Sequence, residues 1–394
     1  MQLPTSLPTT PAMSRESPSP WTRDSCSSDP DGTGSAVMGV ETWTLIPCVP
    51  KVAARDAARA EAEGWTGVLL ADSQNLAAEL VVEMSACLMA TERVRVSPGV
   101  TNPVTRHPAV LAGAMATLNV EYGGRASVEI GRGDSALAHL GFAPMKVAPF
   151  KRYVQALQGF LGGGEVPFNP EFAPGNLAGI ATLRLGEEPA ASSLRWLRPD
   201  APKVPVAVTA TGPKVIALAA EVADAVTLSV GADLERIRPA VDIARAAVTA
   251  AGRNADQLPL GAFVNVAVHD DIRTAAAITS GKLASFSRFS AMHGRAVSVS
   301  NSADAAEIER IRGAYNMNSH GSAQSEQAQE IPIEFAQRNA VIGSPDACLK
   351  RLWELREAGI TRFMFAEDFS RVGDSGLAHK RLVEEVIPEV NSWV

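Results

Sequence analysis

The sequence has few cysteines, few aromatic residues and no excess of basic charge. Its four cysteines, Cys26, Cys48, Cys87 and Cys348, lie far apart, so their spacing predicts neither a disulfide framework nor a zinc site and favours a reducing cytoplasm. The net charge of -7 argues against nucleic acid as a partner. Because no run of about 18 apolar residues occurs, no membrane span is expected. We therefore expect a cytoplasmic protein that binds no metal, nucleic acid or membrane.

Residues 1–38 differ in composition from the rest of the chain. They are rich in proline, serine and threonine and have no periodic apolar face. Such a segment cannot bury enough apolar surface to offset the entropy lost on ordering, and it lacks the apolar stretch of a secretory signal. We predict a disordered N-terminal extension over residues 1–38 and a single domain over residues 39–394.

After this extension, short apolar runs alternate with longer helical patterns. The runs are nearly continuous in apolar residues, which is typical of strands buried on both faces. The predicted strands are 42–47, 67–72, 94–100, 127–133, 204–212, 225–231, 260–268 and 362–368. Eight strands separated by helices predict an α/β fold, the (β/α)8 TIM barrel. A doubly wound sheet is the alternative, because a single sequence does not reveal the order of the strands.

Two connections are longer than is usual in such a fold. Residues 164–203 follow the fourth helix and contain a possible hairpin, AGIATLRL, over 178–185. Residues 281–340 follow the seventh strand and are rich in serine, glycine and glutamine. Long insertions in a compact domain are usually lids or binding loops. We expect these two insertions to shape a substrate pocket.

The carboxyl ends of the predicted strands indicate where chemistry would occur in a barrel. They are rich in glycine, serine and threonine and carry few acid-base groups, which favours an enzyme whose cofactor supplies the chemistry. The candidate catalytic residues are Asp72 and His107, with His139 as a further candidate; helix capping or ordinary hydrogen bonding would also explain them. Gly212 and Pro213 open a helix beside Lys214, where free N–H groups would face an anion, although a plain capped turn explains the same residues.

One stretch carries a resemblance to a known family. Residues 97–135, SPGVTNPVTRHPAVLAGAMATLNVEYGGRASVEIGRGDS, resemble the bacterial luciferase-like superfamily, and most closely its deazaflavin-dependent branch, which includes methylenetetrahydromethanopterin reductase. Residues 210–230 and 340–363 support the resemblance. It implies a TIM barrel that holds reduced deazaflavin (coenzyme F420) or FMN at the carboxyl ends of the strands. It also implies a cis peptide bond at Gly99-Val100, behind the cofactor ring.

The same resemblance implies a set of cofactor contacts. Residues beside the ring would come from strands three and four, and residues around the cofactor phosphate and side chain would come from strands five and six. The implied contacts are Gly99, Val100, Thr101, Asn102, Gly133, Asp134, Ser135, Thr211, Gly212, Pro213, Lys214, Ser229 and Gly231.

The sequence departs from the deazaflavin branch at the end of strand two. Several members have Asp-His there, whereas this chain has Asp72-Ser73. Our leading interpretation is hydride transfer from coenzyme F420 to a small organic substrate. The alternatives are an FMN-dependent monooxygenase supplied by a separate flavin reductase, and a non-catalytic flavin-binding barrel subunit. We further expect the chain to form a homo-oligomer.

Overall fold

A computed structural model of the chain describes residues 39–393 apart from 174, 293, 300 and 330. The predicted N-terminal extension, residues 1–38, lies outside the described residues. The described strands are β1 Glu41–Ile46, β2 Gly67–Leu70, β3 Arg95–Pro98, β4 Val128–Ile130, β5 Val166–Pro167, β6 Ala191–Ser192, β7 Val206–Ala210, β8 Ala225–Leu228, β9 Leu260–Val268, β10 Val341–Gly343 and β11 Arg362–Ala366.

Helices separate these strands. The α-helices are α1 Val52–Ala62, α2 Leu80–Met89, α3 Pro108–Glu121, α4 Ser135–Ala138, α5 Val147–Leu161, α6 Pro213–Val222, α7 Leu234–Ala250, α8 Ile272–Arg288, α9 Ser302–Gly313, α10 Ile333–Asn339, α11 Pro345–Glu357, α12 Gly373–Arg381 and α13 Ile387–Asn391. Short 3-10 turns span Pro170–Phe172, Ile180–Leu183, Ala255–Gln257, Phe289–Ala291, Met317–Ser319 and Glu326–Ala328, and a π-helical turn spans Leu382–Val386. Within the described residues, no helix combines the length and apolar character needed to cross a membrane.

The eight predicted strands form a closed parallel barrel. The neighbours follow the order β3-β2-β1-β11-β9-β8-β7-β4. Single bridges from Val96 to Ala126 and from Thr101 to Ile130 join β3 to β4 and close the ring. Among the described strands, the short β10 pairs only with the end of β9. The TIM-barrel prediction is confirmed, and the doubly wound alternative is wrong.

The two insertions lie where the sequence predicted them, but one of their predicted elements is wrong. The segment 178–185 forms no hairpin: Ile180–Leu183 is a 3-10 turn. Its side chains are exposed or nearly so, so it has no buried face that a hairpin would need. Instead, β5 and β6 pair antiparallel near the two ends of this insertion. The second insertion, after β9, contains the second half of α8 and all of α9 and α10.

Polar residues close the barrel at its amino end. Glu41, at the start of β1, pairs with Arg95 at 2.6 Å and with Arg362 at 3.0 Å. Both guanidinium groups also lie over the ring of Trp43. Above this layer an apolar cluster, here called the interior cluster, consists of Trp43, Leu45, Leu69, Phe263 and Met364, with Val100 and Phe286 packed against it. The carboxyl end of the barrel is therefore lined by Val100 and by loops.

A histidine on α12 ties three elements together. The Nδ1 of His379 lies 2.7 Å from Glu367 Oε2, after β11, and its Nε2 lies 3.1 Å from Glu63 Oε1, after α1. Burial by itself lowers the pKa of His379, but the hydrogen bonds to Glu367 and Glu63 outweigh it and raise that pKa from 6.5 to about 9. The protonated imidazole is thus bound more tightly in the folded state than in the unfolded state.

We expect the substitution His379→Gln to lower the free energy of unfolding by about 2–3 kcal/mol near pH 7. The folded-state pKa lies above the unfolded value, so the stabilisation is complete below about pH 6.5 and disappears as the pH rises through 9. Urea unfolding of both proteins at pH 6, 8 and 10 measures the difference. A loss of equal size at pH 10 would contradict the role of the charged imidazole.

Candidate functional site at the carboxyl ends of the strands

The chain bends sharply after β3, and the bend presents Val100 to the barrel interior. The Gly99-Val100 peptide is cis, as the resemblance implied. A side chain at Gly99 has no space, because its Cβ would lie 2.6 Å from the Cβ of Leu69. Pairing then resumes with β4 through the N–H of Thr101, which donates to the carbonyl oxygen of Glu129 at 3.0 Å. The result is a half-buried valine surface on top of the interior cluster.

A buried carboxylate fixes this bend from behind. Asp72, which is 2% exposed, accepts hydrogen bonds from Thr101 Oγ1 at 2.6 Å, Arg106 Nη1 at 2.6 Å and Gln74 Nε2 at 2.8 Å. Both carboxylate oxygens are therefore used within the protein. This arrangement makes Asp72 a residue that positions the bend, and its predicted catalytic role stays a prediction.

The side chain of Asn102 is also used inside its own loop. Its Oδ1 accepts from the backbone N–H groups of Val104 and Thr105, each at 3.0 Å, and its Nδ2 donates to Gln74 Oε1 at 3.3 Å. Because Thr101 and Asn102 hold the loop together, the surface open to a ring here comes from Val100 and the backbone.

The loop after β4 borders the same surface. A Cβ at Gly131 would lie 3.2 Å from Val100 Cγ2, so the glycine lets the Val100 side chain pack close to the loop after β4. Gly133 has a φ of 80° and lies against Leu137. Asp134 forms an ion pair with Arg288 of α8, and Ser135 begins α4. The predicted contacts in this loop thus lie beside the bend, while Asp134 connects the loop to the second insertion.

The residues predicted to bind the cofactor phosphate are neighbours in the sequence, but they lie in different surroundings. Gly212, with Thr211 before it, precedes Pro213, the first residue of α6, and no atom lies within 4 Å of where its Cβ would be. Lys214 is exposed and lines a groove between α5, α6 and α7 together with Lys151 and Glu221, so its side chain lies on those helices and not at the bend.

After the neighbouring strand β8, two further predicted residues follow. Gly231 has a φ of 80°, and a Cβ there would lie 2.9 Å from the carbonyl oxygen of Asn339. The Oγ of Ser229 is buried without a hydrogen-bond partner among the described residues.

The two candidate histidines lie in different surroundings. His107 is exposed and is the N-cap of α3, where its Nδ1 accepts from the N–H of Ala109 at 3.1 Å. Its ring packs edge-on against Phe172 at 5.8 Å, and burial lowers its pKa. Within the described residues no hydrogen bond joins it to Asp72, so its catalytic role also stays a prediction. The Nε2 of His139 is buried and has no partner in the described part of the chain.

A group of residues from the second insertion covers the bend, and sequence reasoning missed it. We call this group the roof; it consists of Lys282, Phe286 and Arg288 of α8 with Tyr315 and His320. Phe286 packs on Phe263 of the interior cluster, with ring centroids 5.3 Å apart. Lys282 lies one turn before Phe286 on the same helix face, with its Nζ 3.8 Å from the centroid of Phe369.

Hydrogen bonds order the rest of the roof. The hydroxyl of Tyr315 lies 2.9 Å from Ser285 Oγ and 2.6 Å from His320 Nδ1. The guanidinium of Arg288 stacks over the Tyr315 ring at 4.3 Å. Burial, with the nearby positive charges of Arg288 and Lys282, lowers the pKa of His320 to about 4. Burial also lowers the pKa of Lys282 from 10.5 to about 8. The roof therefore carries a neutral histidine and an amine that exchanges its proton near neutral pH.

The buried ammonium of Lys282 has a cost in stability. Its folded-state pKa lies below the unfolded value, so the charged form disfavours folding below about pH 8, and the cost disappears as the pH rises above 10.5. We expect Lys282→Met to raise the free energy of unfolding at pH 7 by about 1–3 kcal/mol, measured by urea unfolding. Lys350→Met, at an exposed position, is the control and should change little. A destabilised Lys282→Met protein would show that Lys282 serves the fold.

The described residues fit a flat heteroaromatic cofactor at this end of the barrel. Val100 offers an apolar face, Gly131 places no side chain against it, and Ser229 Oγ and both amide atoms of Asn265 are buried without partners among the described residues. A flat ring with a polar edge satisfies all three features. Asn265 could have been found in the sequence, because it interrupts the apolar run of 260–268. No pattern in the insertion pointed to the roof.

Comparison with known proteins identifies the family of the chain. Residues 39–362 match the family described as luciferase-like monooxygenase. The 5,10-methylenetetrahydromethanopterin reductase of Archaeoglobus fulgidus is 27% identical over 314 residues, which cover 77% of this chain and 85% of the relative. The F420-dependent glucose-6-phosphate dehydrogenase of Beutenbergia cavernae is 26% identical over 320 residues, or 78% of this chain and 82% of the relative.

A solved structure shares the fold. The coenzyme F420-dependent tetrahydromethanopterin reductase from Methanopyrus kandleri superposes with a TM-score of 0.65 at 20% identity, covering 89% of this chain and 99% of that one. Since the family match spans most of the sequence, from the first strand to the start of the last, this chain belongs to the luciferase-like monooxygenase family.

Proposed function

We propose that this chain is an oxidoreductase that uses reduced coenzyme F420 to transfer a hydride to a small organic substrate. The observation that carries the proposal is the Val100 surface at the barrel mouth, with no side chain against it at Gly131 and with buried polar atoms of Ser229 and Asn265 that lack partners among the described residues. The names of one relative, an F420-dependent glucose-6-phosphate dehydrogenase, and of the solved coenzyme F420-dependent tetrahydromethanopterin reductase favour a deazaflavin over other flat cofactors.

In this proposal the barrel mouth binds the cofactor and the insertion encloses the substrate. The bound cofactor supplies the hydride. Val100 supports the ring, and Asp72 keeps the bend in place through Thr101 and Arg106. Backbone N–H groups at the start of α6, at Gly212, would hold the cofactor phosphate. Thr211, the residue after β7, would lie near that phosphate.

The roof would exclude water and supply a proton. Phe286 covers the interior cluster, and the Asp134–Arg288 ion pair joins the roof to the loop after β4. Reduction of a carbonyl or imine needs one proton in addition to the hydride. Lys282, with a pKa of about 8, holds a proton at Nζ that is exchangeable at neutral pH, which is the range that suits a general acid.

A second candidate function is oxygen activation with FMN supplied by a separate flavin reductase. Ser73 favours it, because the histidine that follows the aspartate in several deazaflavin-dependent members is absent here. The family description as a monooxygenase favours it as well. The ring surface at Val100 would serve either cofactor.

Titration of the protein with coenzyme F420 and with FMN, followed by fluorescence of the ring, separates these candidates. We expect F420 to bind more tightly, and its reduced form to be oxidised without oxygen when carbonyl and imine acceptors are added. Preferred binding of FMN with oxygen consumption by reduced FMN would replace the proposal by the monooxygenase. Tight binding of either ring with no turnover of any acceptor would favour the non-catalytic barrel subunit.

A further inference from the structure

A single asparagine inside the barrel has no partner in the described protein. Asn265 lies on β9, is 1% exposed, and neither its Oδ1 nor its Nδ2 makes a hydrogen bond within the described residues. The rest of β9 is apolar, with sequence LGAFVNVAV. Side chains alternate along a strand, so Asn265 shares the inward face of β9 with Phe263 of the interior cluster.

A buried amide without partners is unfavourable in a folded protein. Each unpaired donor or acceptor loses its hydrogen bonds to water and gains none in return. Buried polar groups are nearly always paired, and an exception calls for a missing water, ion or ligand. An apolar side chain of similar size would fill the same space at lower cost. The amide at position 265 therefore indicates a partner that does not belong to the polypeptide.

The barrel places this amide across from the bend. Between β3 and β9 lie β2, β1 and β11 in one direction and β4, β7 and β8 in the other, so the two strands are opposite each other. Val100, after β3, and Phe263, on β9, pack in the same interior cluster. Asn265 comes two residues after Phe263, further toward the carboxyl end. A flat ring that rests on Val100 and extends across the mouth directs one edge at Asn265.

The hydrogen-bonding groups of the Asn265 carboxamide determine which edge of the cofactor ring it can pair with. It presents one acceptor and one donor side by side, and its complement is a carbonyl beside an N–H, as in the imide of a pyrimidinedione ring. Deazaflavin and flavin rings both carry this imide. We propose that Asn265 pairs with the imide edge of the cofactor ring, an inference that rests on the proposed function. Ser229, whose Oγ is also unpaired and which follows the adjacent strand β8, is placed to donate to the second imide carbonyl.

The substitution Asn265→Leu tests the proposal in two measurements. In the protein without cofactor, removing an unpaired amide should leave the urea midpoint of unfolding unchanged or raise it. Affinity for coenzyme F420 and for FMN, measured by quenching of ring fluorescence, should fall at least tenfold. A residue that serves only the fold would give the opposite pattern, with lower stability and unchanged affinity.

Asn119→Leu is the matched control for stability. Asn119 is equally buried, but its Nδ2 donates to the carbonyl oxygen of Pro202 at 2.8 Å and its Oδ1 accepts from the N–H of Ala126 at 3.2 Å. The unfolding midpoint of this variant should fall clearly. If Asn265→Leu is destabilised to the same extent, the amide is paired within the fold and the proposal is wrong.

A modified cofactor tests whether the imide nitrogen of the ring is the atom that pairs with Asn265. A deazaflavin that carries a methyl group on the imide nitrogen should bind the wild-type protein at least tenfold more weakly than the unmethylated ring, and Asn265→Leu should bind the two alike. An equal methyl effect in both proteins overturns the pairing. If wild type binds neither F420 nor FMN, the proposed function fails; if it binds and Asn265→Leu binds equally well, only the inference fails.

Discussion

Replacing Asp72 by leucine is expected to lower the free energy of unfolding by about 3–5 kcal/mol, because it leaves the buried guanidinium of Arg106 without one of its two carboxylate partners. Thr101 Oγ1 and Gln74 Nε2 lose their acceptors in the same step. The bend after β3 loses its support, so cofactor affinity should fall at least tenfold, or by about 1.4 kcal/mol. Urea unfolding and fluorescence titration measure the two effects.

The double variant Asp72→Leu/Arg106→Leu is the informative control. Removing both partners of a buried ion pair costs less than removing one, since no charge is left unpaired. We expect the double variant to be more stable than Asp72→Leu alone, although Glu79 then loses its bond to Arg106. Additive losses from the two single substitutions would mean that Asp72 and Arg106 act independently.

The second large effect is expected at Gly131. Valine at this position would crowd the Val100 side chain, because the Cβ would already lie 3.2 Å from Val100 Cγ2. The valine surface proposed to support the ring would then be displaced, and cofactor affinity should fall about 100-fold, or about 2.7 kcal/mol. Fluorescence titration with coenzyme F420 measures the change.

Gly313→Val provides the comparison. Gly313 ends α9, and no atom lies within 4 Å of its Cβ position, so a valine there meets nothing. This variant should bind the cofactor as wild type does. If folded Gly131→Val protein also keeps full affinity, the ring does not lie above Val100.

The barrel could be predicted from the sequence because its strands carry a strong local pattern. The segments that became β9 and β8 are nearly continuous apolar runs, and such runs are read correctly when both faces are buried. The start of α11 carries a similarly local signal: Ser344 accepts from the N–H of Ala347, and Pro345 follows as the first helical residue. Strand lengths were overestimated, since 127–133 became Val128–Ile130. The polar residues after it bend into the site.

The candidate site was predictable only in part. The bend at Gly99-Val100 followed from the resemblance, because nothing in the local residues distinguishes it from an ordinary turn. Lys214 was assigned from its place in the chain, but the direction of its side chain depends on the helices that pack around it. The roof depends on contacts between α8 and residues about 30 positions further along, such as Ser285 with Tyr315. Such contacts between distant residues produce no periodic pattern in a sequence.

The most direct test of the account is a crystal structure of the chain with coenzyme F420 bound. The account predicts the ring at the carboxyl end of the barrel, within about 4 Å of Val100 and beneath the roof formed by α8. A ring bound elsewhere, for example in the groove between α5, α6 and α7 that Lys214 lines, would contradict it.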